Sequence, residues 1–322
     1  MNVCILGAGA IGGYITARLS QQGCHVNLIA RGETLTQLQQ HGIGLIEDNQ
    51  PVQYFPVNAV AQASDLPPQD LVIIAVKEPA LAGLVPQLRH LVKPHTRIVT
   101  AMNGIPWWFG AGLPGGAALH LEPLDPHHHL SALMPAEQVI GCVLHMACTC
   151  PTPGVIQHKM GNRMILGEAL GGPSAALDGI ANLLTGAGFD ASTTDHIHKD
   201  IWFKLWGNMS HNPISALTRA TTDQIIADPL TRQLSEDIMA EAQQVGTRIG
   251  CQLDTTPACR NQETLKLGAF KTSMLQDVEA GKTLEINALL GAFCNLAQQL
   301  GIETPFASTV LGLVRLLDRQ LL

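Results

Sequence analysis

The feature that most constrains this chain is a strand, a glycine turn and a helix run together within residues 1–18. The apolar run Val3 to Leu6 reads as a fully buried strand. Gly7-Ala8-Gly9-Ala10-Ile11-Gly12 then gives a Gly-x-Gly-x-x-Gly turn, and Ile11, Ile15 and Leu19 set a helical period. Gly7 allows the tight turn, Gly9 lets backbone approach phosphate, and Gly12 lets the helix pack closely on the strand. The helix N-terminus offers unpaired N–H groups and a partial positive charge to an anion. A second strand, His25 to Ala30, closes a βαβ unit of the length that binds a dinucleotide pyrophosphate.

The residue ending that second strand selects the cofactor. An NAD site places Asp or Glu there to accept from the ribose 2′-OH. Here the position is Arg31. A guanidinium cannot accept a hydrogen bond but clamps a 2′-phosphate in its fork, so the expected cofactor is NADP(H).

At 322 residues the chain is long enough for two domains with ample core. Its 14% charged and 46% hydrophobic residues fit a compact, folded protein. A net charge of −7 argues against nucleic acid and acidic membrane surfaces as partners, and makes an anionic substrate dependent on a locally basic pocket. No signal peptide is expected, and no apolar run is long enough to span a bilayer. Eight scattered cysteines without scaffold spacing suggest reduced thiols in a cytoplasmic protein. Cys148 and Cys150 share a strand face, but two thiols do not supply four metal ligands.

Taken in order, the chain alternates strand and helix, which predicts a doubly wound α/β sheet. Thr34 to Gln40 reads as a short helix, Ile43–Ile46 and Gln53–Val57 as a strand pair, Asp70–Lys77 as a buried parallel strand, Leu81–Leu91 as its crossover helix, and Arg97–Met102 as the next strand. Ligands of such sheets bind beyond the carboxyl ends of the strands, so Lys77 and Asn103-Gly104 are expected to face the cofactor crevice. Residues 107–137 read as a loop-rich insertion holding His127-His128-His129, a solvated run in which three consecutive side chains cannot all reach one metal ion. Closing strands are expected over Val139–Ala147, Gly154–His158 and Arg163–Gly167. Near Asp195 the text turns almost wholly helical. The expected division is therefore a Rossmann-type NADP-binding domain over 1–194 and an all-helical substrate domain over 195–322, with helices near 196–217, 222–250, 260–280, 283–300 and 306–321. The last carries an apolar stripe, Val310, Leu313, Val314, Leu316 and Leu317, whose first meaning is core packing and whose second is a homodimer contact.

The informative helix is Asp200 to Pro213. Ile201, Trp202, Phe203, Leu205, Trp206 and Met209 surround it, so burial is expected, and Pro213 should kink or end it. Lys204, Asn208 and Asn212 fall at i, i+4 and i+8, one polar stripe on a helix expected to be buried. Burying an ammonium and two amides costs several kcal/mol unless each finds partners, so the stripe wants a polar cavity or a ligand. Downstream, Ser273 and Glu285 are separated by Gly281, which ends one helix, and Thr283, the expected N-cap of the next. Glu285 would then sit in a first turn, where the dipole favours a carboxylate.

These residues together resemble the ketopantoate reductase (2-dehydropantoate 2-reductase) family over nearly the whole chain. The carriers are Gly7 to Gly12, Arg31, Asn103-Gly104, Lys204-Leu205-Trp206-Gly207-Asn208, Asn212-Pro213-Ile214-Ser215-Ala216-Leu217-Thr218, and Ser273-Met274-Leu275-Gln276-Asp277 with Glu285. The resemblance implies that Lys204 is the general acid, with Glu285 beside it in catalysis. It implies that Asn103, Asn208, Asn212 and Ser273 bind substrate, and that Arg31, Lys77, Asn103 and Glu285 join the glycine turn as cofactor contacts. Met102 departs from the family's usual Gln, Ala288-Leu289-Leu290-Gly291 from its usual ending after the glutamate, and the Trp107-Trp108 loop is longer than in compact members. The implied reaction is NADPH-dependent reduction of ketopantoate to pantoate, a step towards pantothenate and coenzyme A. The amine of Lys204, hidden among tryptophans, is expected to face the nicotinamide. Alternatives are the same chemistry on another small 2-oxo acid, or an NADP-binding regulatory protein without turnover.

Overall fold

The computed structural model describes residues 1–48, 50–116 and 118–321. They form two compact units: Met1–Met102 with His128–Ile197, and Asn103–His127 with His198–Leu322.

The first unit is built on one mixed sheet. Its strands are β1 (Val3–Leu6), β2 (Val26–Ile29), β3 (Ile43–Ile46), β4 (Gln53–Phe55), β5 (Asn58–Val60), β6 (Leu71–Ile74), β7 (Arg97–Thr100), β8 (Val139–Thr152), β9 (Val155–Glu168) and β10 (Asp190–Thr193). They lie in the order β4-β3-β9-β8-β7-β6-β1-β2-β5, with β10 beside β9. From β5 through β8 every pairing is parallel, whereas β8 and β9 form a long antiparallel hairpin. The buried run at each of β1, β2 and β6 is what a sheet covered on both faces requires. Helices α1 (Ala10–Gln21), α2 (Gly32–His41), α3 (Glu78–Leu81), α4 (Val85–Leu91), α5 (His129–Leu133) and α6 (Ala175–Gly186) belong to this unit. The crossover expected over 81–91 is broken into α3, a 3-10 turn at Ala82–Leu84 and α4, with prolines at 79 and 86 in the first turns of both helices. The expected closing strands at 154–158 and 163–167 are one continuous strand, β9. Strands β5 (Asn-Ala-Val) and β10 (Asp-Ala-Ser-Thr) lie outside the expected strands and lack an apolar run.

Chain order reverses at β1, which has β2 on one side and β6 on the other. That is the switch point at which open α/β sheets take their ligands. The polar residue in buried β2 is accounted for: Asn27 donates to Gln69 Oε1 at 3.0 Å and accepts from Asn58 Nδ2 at 2.8 Å.

The second unit is helical: α7 (Ile197–Thr218, its first residue in the first unit), α8 (Thr222–Ala227), α9 (Pro229–Arg248), α10 (Pro257–Leu265), α11 (Ser273–Glu279), a π turn at Asn287–Gly291 continuing into α12 (Ala292–Gln299), and α13 (Pro305–Leu321). The expected helix 222–250 is split by Asp228, which caps α9 from its side chain ahead of Pro229. The expected helix 260–280 is interrupted at Gly268, whose φ is +67°. Helix α7 runs through Pro213 rather than ending there. Phe203, expected to be buried, is 41% exposed.

The unit division differs from the single cut expected at 194/195, because residues 103–127 pack with the helices. Trp107, Trp108 and Phe109 are buried. Phe109 stacks on Trp202 with ring centroids 6.0 Å apart, and His198 lies against both Trp108 and Phe109. His198 Nε2 is hydrogen-bonded to the Ala111 carbonyl at 2.9 Å. No helix among the described residues is long and apolar enough to cross a membrane.

Two substitutions test this account. A Cβ at position 12 would lie 2.0 Å from the Gly7 carbonyl oxygen, whereas one at position 9 meets nothing within 4 Å. Gly12→Ala should therefore cost at least about 1–3 kcal/mol in the first unit, read as a lowered thermal midpoint, with Gly9→Ala changing it far less. Glu241 is buried in α9 and accepts from the backbone N–H groups of Phe306 (2.8 Å) and Ala307 (3.0 Å) at the start of α13. Glu241→Ala leaves both donors without this acceptor and should cost about 1–3 kcal/mol in denaturant titration.

Candidate active site

In the first unit the site grows from the glycine turn. Gly7 has φ +104°, and a Cβ there would lie 2.8 Å from Val76 Cγ1 and 2.9 Å from the Ala75 carbonyl, so β1 and β6 exit side by side only with glycine at this point. Gly12 presses α1 onto the Gly7 carbonyl. Gly9, by contrast, is exposed and faces open space. It is the N-cap of α1, and among the described residues no side chain caps that first turn. Ala8, Ala10 and Ile11 are half-buried around it. A bare helix N-terminus behind a glycine that leaves room is what a pyrophosphate needs, so the residues present fit a dinucleotide.

Arg31 and Lys77 stand on either side of this turn in strand order. Arg31 follows β2 by two residues, has extended backbone and occupies the position just before α2; it is exposed. Lys77 follows β6 by three residues, occupies the position just before α3 and is exposed. Both are therefore at carboxyl ends of strands adjacent to β1.

In the second unit the polar stripe of α7 is present. Lys204 and Asn208 are half-buried and Asn212 is buried. Helix α7 is fixed by its wholly buried tryptophans, Trp202 and Trp206, and Trp206 Nε1 donates to the Met239 carbonyl at 2.9 Å. Lys204 Nζ donates to Asn103 Oδ1 at 2.7 Å, across 101 residues of sequence. Asn103 is held in turn by the two residues after it. Gly104 has φ +80°, and a Cβ there would lie 2.6 Å from the Ala288 carbonyl oxygen; the Ile105 N–H donates to that same oxygen at 2.8 Å. Ala288 belongs to the π turn, a wider coil that re-aims backbone carbonyls and recurs at functional sites.

Glu285 is buried three residues before Ala288, so the Asn103 turn is fastened to the segment that carries this carboxylate. It precedes the helix instead of occupying its first turn, and Thr283 is not the N-cap: Ile286 is already helical. Ser273 is the first residue of α11, exposed, with Thr272 capping that helix through a 3.2 Å bond from the Leu275 N–H. Thus Lys204 and Asn103 touch directly, Asn208 and Asn212 lie further along the same helix, and Ser273 is carried by a separate one.

Sequence reasoning passed over two features. Residues 107–109 signalled burial by their aromatics but were read as loop. A second buried set joins α7 to α10: His211 Nδ1 is 3.0 Å from the Gly207 carbonyl and Nε2 is 3.0 Å from Asn261 Oδ1, while Asn261 donates to Glu236 at 2.9 Å. The signal for it was His211 itself, a lone imidazole inside an apolar helix. Burial pushes His211 below its ordinary pKa against these hydrogen bonds. The histidine run is exposed, with His128 at φ +55°, and among the described residues no three His, Cys, Asp or Glu side chains are grouped to hold a metal ion.

Comparison with known proteins covers both units. The family model "Ketopantoate reductase PanE/ApbA" matches residues 3–171, and that of its C-terminal domain matches residues 196–318. A 2-dehydropantoate 2-reductase of Mesorhizobium japonicum is 40% identical over 98% of this chain and 97% of its own length. A crystal structure of a provisionally named ketopantoate reductase from Ralstonia solanacearum MolK2 superposes with a TM-score of 0.95 at 45% identity, covering 99% of this chain and 98% of the other. That of a 2-dehydropantoate 2-reductase from Geobacter metallireducens gives 0.85 at 26% identity, over 98% and 99%. The glycine turn, the lysine of α7 and these matches along the whole length place the chain in the ketopantoate reductase family, a family of oxidoreductases.

Proposed function

We propose that this protein reduces 2-dehydropantoate to pantoate with NADPH, the step that supplies pantoate for pantothenate and coenzyme A. The observation that carries this reading is the 2.7 Å bond from Lys204 to Asn103, an aimed amine on a largely buried helix in a chain of this family. The turn Gly7–Gly12 would hold the pyrophosphate, Arg31 the 2′-phosphate, and Lys77 would join them from the neighbouring strand end. Bound there, NADPH supplies a hydride to the substrate's carbonyl carbon.

The rest falls to this chain's side chains. Lys204 binds the carbonyl oxygen, stabilises the alkoxide as charge develops and gives it a proton from Nζ. Asn103 restrains that amine through its amide oxygen, which favours one direction for the proton. Asn208 and Asn212 extend the polar face along the substrate. Glu285 accepts from the substrate hydroxyl and orients Lys204, and Ser273 with Asn103 donates to the carboxylate. Met102 and the Ala288–Gly291 turn, where the chain departs from family habit, bear on which 2-oxo acid fits best.

Two measurements test this. Lys204→Ala should lower kcat by roughly 10²–10⁴-fold while NADPH binding, followed by nucleotide fluorescence, is retained; near-normal turnover would remove the lysine from this role. Arg31→Ala should raise the Kd for NADPH by about tenfold or more and leave NADH little changed, and equal losses for the two nucleotides would refute the phosphate clamp.

A further inference from the structure

Glu285, the carboxylate on which this mechanism relies, stands in a stretch of chain without regular structure. Residues 282–285 belong to neither helix nor strand, and coiling begins only at Ile286. Buried backbone donors in such a stretch must find acceptors outside it. The Lys282 N–H turns back to the Asp277 carbonyl at 2.9 Å. Leu284, next to Glu285 and buried, donates its N–H to Oδ1 of Asp318 at 2.9 Å, across 34 residues of sequence. On the far side of Glu285, the Ala288 carbonyl accepts from the Ile105 N–H at 2.8 Å. The backbone that carries the carboxylate is thus held at two points. One is the turn of Asn103; the other is the Asp318 side chain.

By local rules Asp318 is misplaced. It lies in the last turn of α13, where unpaired carbonyls and the helix dipole disfavour a carboxylate. Arg319 beside it is the residue type that such a helix end favours. Asp318 is half-buried, and among the described residues it forms no ion pair. The bond from Leu284 is the one hydrogen bond its side chain makes among them. A carboxylate at the wrong end of a helix, without a basic partner, is explained by what it holds. An N–H bonded to an ionised oxygen is also roughly twice as strong as a neutral pair, and so fixes its donor more firmly.

We propose that Asp318 is a positioning residue for the reaction. Through the Leu284 N–H it sets where Glu285 presents its carboxylate, and thereby sharpens the choice of a 2-oxo acid that carries a hydroxyl. The inference rests on the reductase reading, in which Glu285 accepts from the substrate hydroxyl. Asp318 acts through Glu285 and not on the substrate.

The experiment compares ketopantoate with its deoxy counterpart, the same 2-oxo acid with hydrogen in place of the hydroxyl. The readout is the ratio of their kcat/KM values on one preparation, which does not depend on the fraction of enzyme folded. Asp318→Ala should lower that ratio about tenfold, the order of one hydrogen bond to a charged group, and leave the NADPH Kd unchanged. Asp318→Asn keeps an acceptor oxygen and should stay within about threefold of wild type. In a Glu285→Ala background, Asp318→Ala should change the ratio no further, because the two act as one unit. A ratio that survives Asp318→Ala, or a loss that persists undiminished without Glu285, would overturn the assignment and leave Asp318 a structural contact. If Asp318→Ala yields no folded protein, Asp318→Ser, whose shorter side chain withdraws the acceptor, replaces it with the same expectations. Should the wild type reduce neither compound, the reductase reading falls separately. Calorimetry with ketopantoate then decides for Asp318: binding about tenfold weaker in Asp318→Ala keeps the positioning role, and equal binding, or none by either protein, ends it.

Discussion

An ammonium group on a helix packed by tryptophan, leucine and methionine loses hydration that hydrogen-bond acceptors must replace. In this protein the amide oxygen of Asn103 meets that need for Lys204 at 2.7 Å, and much of the helical unit serves to keep the two in register. Trp202 and Trp206 fix the rotation of α7. Gly104 and Ile105 clamp the Asn103 turn to a carbonyl of the π turn, and Phe109 with His198 seals the same segment further along. A single side-chain bond of this kind is modest in net energy, on the order of 1.5–3 kcal/mol when one partner is charged. Its worth lies in direction, because it restrains where the lysine Nζ points.

The nucleotide-binding unit solves a different problem with backbone alone. Its close approaches are glycine against carbonyl, with Gly7 beside Ala75 and Val76 and Gly12 upon Gly7, and the one glycine left with room is Gly9. Tight where strand meets helix and open at Gly9, the turn combines close packing with free space within six residues.

Much of this was legible in the sequence, and for local reasons. Buried parallel strands advertise themselves as unbroken apolar runs, which is why β1, β2, β6 and β7 were evident. Strand β10, with its Asp-Ala-Ser-Thr text, gave no such sign and is held by pairing with β9. The stripe Lys204, Asn208 and Asn212 came from helical period, but the partner of Lys204 did not, since no periodicity links residues 101 apart. Helix ends were misjudged where tertiary contacts decide them. Thr283 has the chemistry of an N-cap, yet coiling begins only at Ile286, after Glu285, and passes at once into a π turn. Phe203 looked like core because its neighbours are; its ring instead serves as a platform for the guanidinium of Arg260. The glycine beside that guanidinium, Gly207, resembled any other glycine until Arg260 was placed against it.

The affiliation of residues 103–127 has a bearing on how such a chain matures. The polypeptide passes from one compact unit to the other at 102/103, returns at 127/128 and passes again at 197/198. The aromatic segment that completes the helical core thus leaves the ribosome about seventy residues ahead of α7, and must wait, with Trp107, Trp108 and Phe109 uncovered, until its partners are made. Neither half is a contiguous piece of chain, so the vectorial, one-domain-then-the-next route open to simpler two-domain proteins is closed to this one.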